Sequence, residues 1–365
     1  MYYEMGFKGL MRNRKTVYTL VALVALGGVS VVQNRRLADH RRQRLPEAGT
    51  AYSAKMPPAL AFVMAGLGGF RGIVSEILWF RVERLQEEGR FLELVQLADW
   101  ITLLDPHASE GWTYNAWNLS YNISVMMSRH EDRWRWVQNG ISLLRDEGLR
   151  FNPHDAKLYR ELAWLFQHKI GDSLDNAHFL YKVRLLEAIA PCLHPDGTLD
   201  TAAAETAVRL AALRMDADRM LDVEKRFGPV DWRMPETHAL YWADQGVAYA
   251  QGTELMMSRR AVYQPLMLGV FRGRFTGSLE ERKWDESPNL ALALPTADYM
   301  LAALHENPTR NQTAITLRFL AVTVRLLAQA GQGDAAQQLY QRLPEIVPAT
   351  HPAPTYEDVL NGWIP

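Results

Sequence analysis

The sequence predicts an all-α protein: one N-terminal transmembrane helix, then a curved solenoid of helical hairpins. Three observations predict it. The nineteen residues Thr16–Asn34 carry no charge, with Lys15 before them and Arg35-Arg36 after. Apolar residues then recur on one face with a helical period of 3.6, and alternating strand patterns are almost absent. Finally, glycine and proline punctuate the chain at a repeated gap. Gly89 to Pro106 is seventeen residues, and so is Gly331 to Pro348.

The first element follows from length. About 20 apolar residues, rising about 1.5 Å each, cross a bilayer core of about 30 Å. A cleaved signal peptide shares the basic start, here Lys8, Arg12, Arg14 and Lys15. It also needs a small-x-small cleavage site, and Val29–Arg35 offers none. The expectation is therefore an uncleaved anchor at 16–34, preceded by a basic segment at 1–15. Arg35, Arg36, Arg41, Arg42 and Arg44 follow the span, so the two flanks nearly tie on the positive-inside rule. Long domains translocate largely regardless of charge, which favours an extracytoplasmic body. Residues 35–58 read as a solvated basic linker.

Residues 59–80, ALAFVMAGLGGFRGIVSEILWF, are long enough to span as well, but they contain Arg71 and Glu76. Each would cost about 2.5–3.5 kcal/mol at a helix centre. A buried or membrane-surface helix is the expectation. Gly66, Gly68, Gly69 and Gly72 lack the Lys-Ser/Thr of a phosphate loop and suggest close helix packing or a bend.

Composition fits a globular body. A net charge of −1 gives no bulk electrostatic case for nucleic acid, and 48% hydrophobic residues suffice for a sizeable core. Cys192 is the only cysteine, so no intrachain disulfide is possible.

The helical stripes come in pairs. Trp134, Val137, Ile141 and Leu144 form one, and Leu158, Leu162, Leu165, Phe166 and Ile170 another. Ala261–Thr276 could be helix or a short strand pair. Gly89, Gly171-Asp172 and Gly331 end first helices, while Asp105-Pro106, Pro191 and Pro348 close their partners. Asn152-Pro153 closes a further pair after Gly148-Leu149. Glycine permits a left-handed backbone at a helix end and proline cannot continue a helix, so a fixed gap between them spaces hairpins.

Ala177, Tyr181 and Pro191 after Gly171, and Ala336, Tyr340 and Pro348 after Gly331, resemble degenerate tetratricopeptide repeats (TPR). The stretches GGFRGIVSEILWFR, ELVQLADWITLLDP, LYRELAWLFQHKIGD and GPVDWRMPETHALYW are similar to membrane-anchored, repeat-containing bacterial proteins. That resemblance covers roughly residues 60–350 and implies a TPR-like solenoid tied to a bacterial inner membrane. It brings no activity with it. TPR-like hairpins are expected at 59–197 and 291–365. Residues 198–290 fit no repeat well and form an irregular helical region.

Catalytic signatures are weak. Gly171-Asp172-Ser173-Leu174 spells an esterase nucleophile motif, followed by Asp175-x-x-His178. That nucleophile needs a strand-to-helix turn in an α/β fold, whereas here the letters fill a turn between helices. Asp172 and Asp175 are expected to cap the next helix. The ten histidines show no His-x-x-x-His spacing, and His107, His154 and His194 sit beside prolines, as exposed turn residues do. Neither a metal nor a cofactor is expected.

Three polar–aromatic stripes suggest a binding surface. Asn115, Asn118 and Asn122 fall at i, i+3 and i+7. Arg160, Trp164 and His168 fall at i, i+4 and i+8, and His238, Tyr241, Trp242 and Gln245 make a third stripe. Asparagine is a poor helix former, so three on one face need a reason. On the concave face of a solenoid these residues would bind an extended peptide or a helix. Alternatively they tie neighbouring helices together, with the tryptophans as core. The expected function is that of a membrane-tethered scaffold for protein–protein interaction or complex assembly. The rivals are an enzyme with a pocket built by 200–290 and an accessory subunit of a transport or secretion machine.

Overall fold

The computed structural model describes Tyr18, residues 71–348 apart from 279 and 282, and residues 352–363. The anchor at 16–34, the linker at 35–58 and the apolar run 59–70 lie outside the described residues, Tyr18 apart. The described part is helical. Its one regular sheet is a two-residue ladder, and no described helix is long and apolar enough to cross a membrane. The chain divides into two compact units, with the division between Asn115 and Ala116.

In the first unit, α1 (Arg71–Glu87) and α2 (Phe91–Leu104) form an antiparallel hairpin. Gly89 joins them at φ +69°, a conformation that costs other residues a backbone clash. Val82, Leu85, Leu94, Leu97 and Ile101 meet in the hairpin core, flanked by Trp79 and Tyr114 in edge contact at 5.2 Å. Asp105-Pro106 ends α2. The indole Nε1 of the buried Trp112 then donates to the Pro106 carbonyl at 2.9 Å, which fixes the entry into α3. Gly72 is exposed, and none of the described residues packs where its Cβ would stand.

α3 starts as Ser109–Trp117, widens into π-helix over Asn118–Ile123 and closes with Ser124–Met126. α4 (His130–Ser142) widens likewise over Leu143–Gly148 and ends with Leu149–Phe151. Gly148 therefore lies inside a helix at φ −56°, and Gly148-Leu149 is not a turn; Asn152-Pro153 is the stop. α3 and α4 pack backbone-close. A Cβ on Gly140 would stand 2.1 Å from Ser120 Oγ and 2.8 Å from the Ala116 carbonyl. α5 (Ala156–Trp164), capped by Asp155, continues as a third π segment, Leu165–Ile170.

α6 (His178–Ile189), α7 (Thr206–Leu213) and α8 (Ala217–Phe227) follow, and then α9 (Pro235–Val247) and α10 (Gly252–Arg272). The main neighbour of α5 is α9 rather than α6. A Cβ on Gly246 would come within 2.7 Å of Tyr159 Cβ, so glycine allows that approach. Residues 198–290, irregular in sequence, thus supply two helices to the central packing. Ala261–Thr276 proves to be mostly helix, with Pro265 inside it. β1 (Arg274–Phe275) then pairs antiparallel with β2 (Glu286–Ser287).

α11 (Ala293–Glu306), α12 (Arg310–Gln329), α13 (Gly333–Gln341) and α14 (Tyr356–Leu360) complete the unit. α9 to α13 each pack on the next, and Gly331 turns at φ +76° as a hairpin glycine should. α13 ends at Gln341, seven residues before Pro348, so that proline does not terminate it.

Candidate functional site

The wide π turns matter because they hold six residues where α geometry would leave a narrower, regular face, and such turns concentrate at functional positions. Two of the three, in α3 and α5, lie against each other. They bring together Tyr121 and His168, whose hydroxyl and Nδ1 are hydrogen-bonded at 3.0 Å. From that bond a ladder of four rings extends both ways. Trp117 stacks on Tyr121 at 5.3 Å and 28°, and Trp164 stacks on His168 at 4.4 Å and 14°. Tyr121 and His168 are half-buried, while the terminal indoles Trp117 and Trp164 are 42% and 39% exposed.

Charges surround the inner rings. Burial raises the Tyr121 phenol well above its ordinary range, and the carboxylates of Glu161 and Asp172 push the same way. Glu161 is itself raised by burial, against the nearby Lys157 and Arg160. Lys169 lies 5.2 Å from the Tyr121 ring centroid, and its ammonium bonds Asp175 at 2.7 Å. Asp175 also accepts from Arg133 at 3.0 Å, from the Tyr181 hydroxyl at 2.9 Å and from the Ala177 amide at 3.0 Å. One buried carboxylate thus pins α4, α5 and α6 beneath the ladder. This corrects the expectation that Asp172 and Asp175 cap the next helix: α6 has no side-chain cap bond, and Asp175 reaches only the Ala177 amide just before it, its other partners being two cations and a phenol.

Ser173 is exposed in the turn before α6, on no strand. It has no nucleophile elbow to sharpen it. Ser173→Ala is expected to leave folding and any activity unchanged, and a fluorophosphonate probe to leave Ser173 unlabelled; covalent labelling there would overturn this.

The three stripes part company. Trp164 and His168 lie on the ladder. Arg160 is turned aside, its guanidinium paired with Glu254 and 3.2 Å from Ser258 Oγ on α10. Asn118 is fully buried and accepts from Asn122 Nδ2 at 2.6 Å, so the asparagine face points inward, away from Trp117 and Tyr121. Asn115 is buried too, at 2% exposure, on the first unit's side of the division.

His238, Tyr241 and Trp242 are 1%, 2% and 4% exposed. His238 Nε2 lies 2.9 Å from the Trp232 carbonyl, and the Tyr241 hydroxyl accepts the Asp216 amide at 2.8 Å. Gln245, half-buried, accepts from Arg219. Gln245 apart, the third stripe is core. Asn115, Asn118, His238, Tyr241 and Trp242 are thus buried, whereas Trp117 and Tyr121 share the ladder with Trp164 and His168. The signal for those two is in the sequence: Trp117-x-x-x-Tyr121 repeats the spacing of Trp164-x-x-x-His168.

The region 200–290 carries a chain of buried charges. The Glu236 carboxylate, 2% exposed and raised by burial, lies 2.7 Å from Arg272 Nη2. Glu286 accepts from Lys182 at 2.8 Å and from Trp284 Nε1 at 2.7 Å, tying β2 to α6. A hollow of about 240 Å³ between α10, α11 and α12 contains the Arg259–Glu306 pair. It falls below the roughly 300–1,000 Å³ usual for ligand pockets. Among the described residues no group of three or more His, Cys, Asp or Glu is placed to hold a metal ion. The sequence matches no protein-family model and no curated protein.

Proposed function

We propose that the chain is a membrane-tethered, TPR-like helical scaffold that binds a protein partner at the Trp117–Tyr121–His168–Trp164 ladder. One observation carries the reading: two stacked ring pairs joined by the Tyr121–His168 hydrogen bond, beside the buried Lys169–Asp175 ion pair, with an exposed indole at each end. Exposed aromatic anchors on a rigid base are the usual source of interface energy, about 2 kcal/mol or more each, because little conformational freedom is lost on contact. The partner is an extended peptide or a helix, whose apolar side chains suit the indole faces. The tether is the uncharged run 16–34, and the helix-on-helix order of α9 to α13 is what a repeat solenoid builds.

Trp117→Ala with Trp164→Ala should abolish co-purification of the partner in mild detergent while the melting temperature stays near wild type, since both indoles are exposed. A partner retained at wild-type level by the double variant would refute the site. Retention of the full chain by carbonate-washed membranes tests the tether.

A further inference from the structure

α1 is apolar on two faces, and the first unit covers one of them. Val82 and Leu85 are buried against α2, with Leu78 and Trp79 packed beside them. On the other face Ile73, Ile77 and Phe80 recur at i, i+4 and i+7 and are 57%, 61% and 68% exposed. An exposed apolar stripe opposite the buried face marks a contact surface. We propose that this face of α1 docks on the lipid bilayer, with Ile73, Ile77 and Phe80 in the interfacial layer. The inference rests on the membrane-tether reading.

Two observations choose the bilayer over other occupants. The first is what precedes the helix. Residues 59–70, ALAFVMAGLGGF, carry no charge and run straight into α1, and 36 residues separate Asn34 from Arg71. A chain that long between an anchor and a helix can return to the membrane surface. The second is charge. Ile77 and Phe80 line an open hollow of about 510 Å³ whose other walls include Arg81, Arg84 and Arg90. Arg84 and Arg90 share Glu88, while Arg81 has no ion-pair partner among the described residues. At 100° per residue Arg84 falls on the stripe a turn beyond Phe80, Arg81 lies on one flank, and Glu76 and Glu83 on the other. An apolar floor with an arginine at its edge matches acyl chains below anionic headgroups, since arginine stems lie along apolar surface with the charge at headgroup level.

The test uses the full chain reconstituted into phosphatidylcholine vesicles with and without phosphatidylserine. The buried Cys192 is first replaced by Ala. Ile77→Cys, Phe80→Cys and Glu83→Cys are then labelled one at a time with an environment-sensitive fluorophore. Quenching by brominated acyl chains should be several-fold stronger at 77 and 80 than at 83, and iodide in the water should quench mainly 83. Phosphatidylserine should enlarge the difference. Equal iodide quenching at all three positions overturns the proposal. So does shielding of 77 and 80 from both quenchers, which would mean a protein cover. The tether is scored separately by carbonate extraction. If the chain washes free, flotation of the washed chain with anionic vesicles decides docking alone: flotation lost in Ile77→Glu with Phe80→Glu supports it, and no flotation of the unmutated chain overturns it.

Discussion

Trp242→Ala is expected to lower stability by about 3–5 kcal/mol, as truncation of large core aromatics does. In a unit of this size that is a fall of roughly 6–20 °C in melting temperature. Trp242 is 4% exposed and packs edge-on against Tyr241 at 5.1 Å and 87°. Tyr241 in turn meets the fully buried Trp232 edge-on at 6.0 Å, so the substitution opens a cavity at the end of a three-ring cluster. The indole Nε1 of Trp242 has no hydrogen-bond partner among the described residues, so its value is packing rather than polar bonding. Trp242→Phe should therefore recover most of the loss. Thermal melts of the two variants beside wild type check this. An unshifted melt for Trp242→Ala, with partner capture lost, would return this residue to the binding surface and remove it from the core.

The same residue shows what sequence spacing conveys and what it does not. The helical period at Val137, Ile141 and Leu144 gave a face, and that face is buried. Hairpin glycines were legible because their constraint is local: Gly89 and Gly331 adopt positive φ, which few other residues tolerate. Gly148 was misread because its role is not in its own backbone; it sits mid-helix in a π segment.

The polar stripes failed for a related reason. Spacing at i, i+3 and i+7 shows that Asn115, Asn118 and Asn122 share a side of α3, but not whether that side faces water. Asn122 donates to the buried Asn118, which helps a polar face turn inward. The pairing of α5 with α9 joins residues some 80 positions apart, across three intervening helices, and no local pattern encodes it. The ladder is intermediate. Its two Trp-x-x-x-ring spacings are visible in the sequence, but their meeting depends on two π turns lying against each other.

The π turn of α5 is tied to α4 and α6 by Asp175, and removal of that carboxylate should be as costly as that of Trp242. Asp175→Ala leaves the nearly buried Lys169 and Arg133, with side chains 4% and 16% exposed, without their shared anion. Removing one partner of a buried ion pair costs about 3–5 kcal/mol, because the uncompensated charge stays in the interior. Burial alone would raise the Asp175 carboxyl. The bonds from Lys169, the Ala177 amide and Tyr181 outweigh that and hold it at about 2. Its folded value is thus below its ordinary 3.8. The stabilisation it contributes is complete above that ordinary value and is lost as pH falls toward about 2.

His238 acts earlier. Burial depresses it from 6.5 to about 4, so its neutral form is favoured in the fold and stability is lost as pH falls between those values. Wild-type chemical denaturation followed from neutral pH downward should therefore show two successive losses. Asp175→Asn should abolish the lower one and keep the upper, and His238→Phe should do the reverse. The ladder supplies a second readout. With Asp175 neutralised, the ammonium beside the Tyr121 ring loses its anchor, and the fluorescence of Trp117 and Trp164 should shift at neutral pH even where the helical signal does not. If Asp175→Asn retained the wild-type acid profile below pH 4, the carboxylate would not be the group that holds α4, α5 and α6 together.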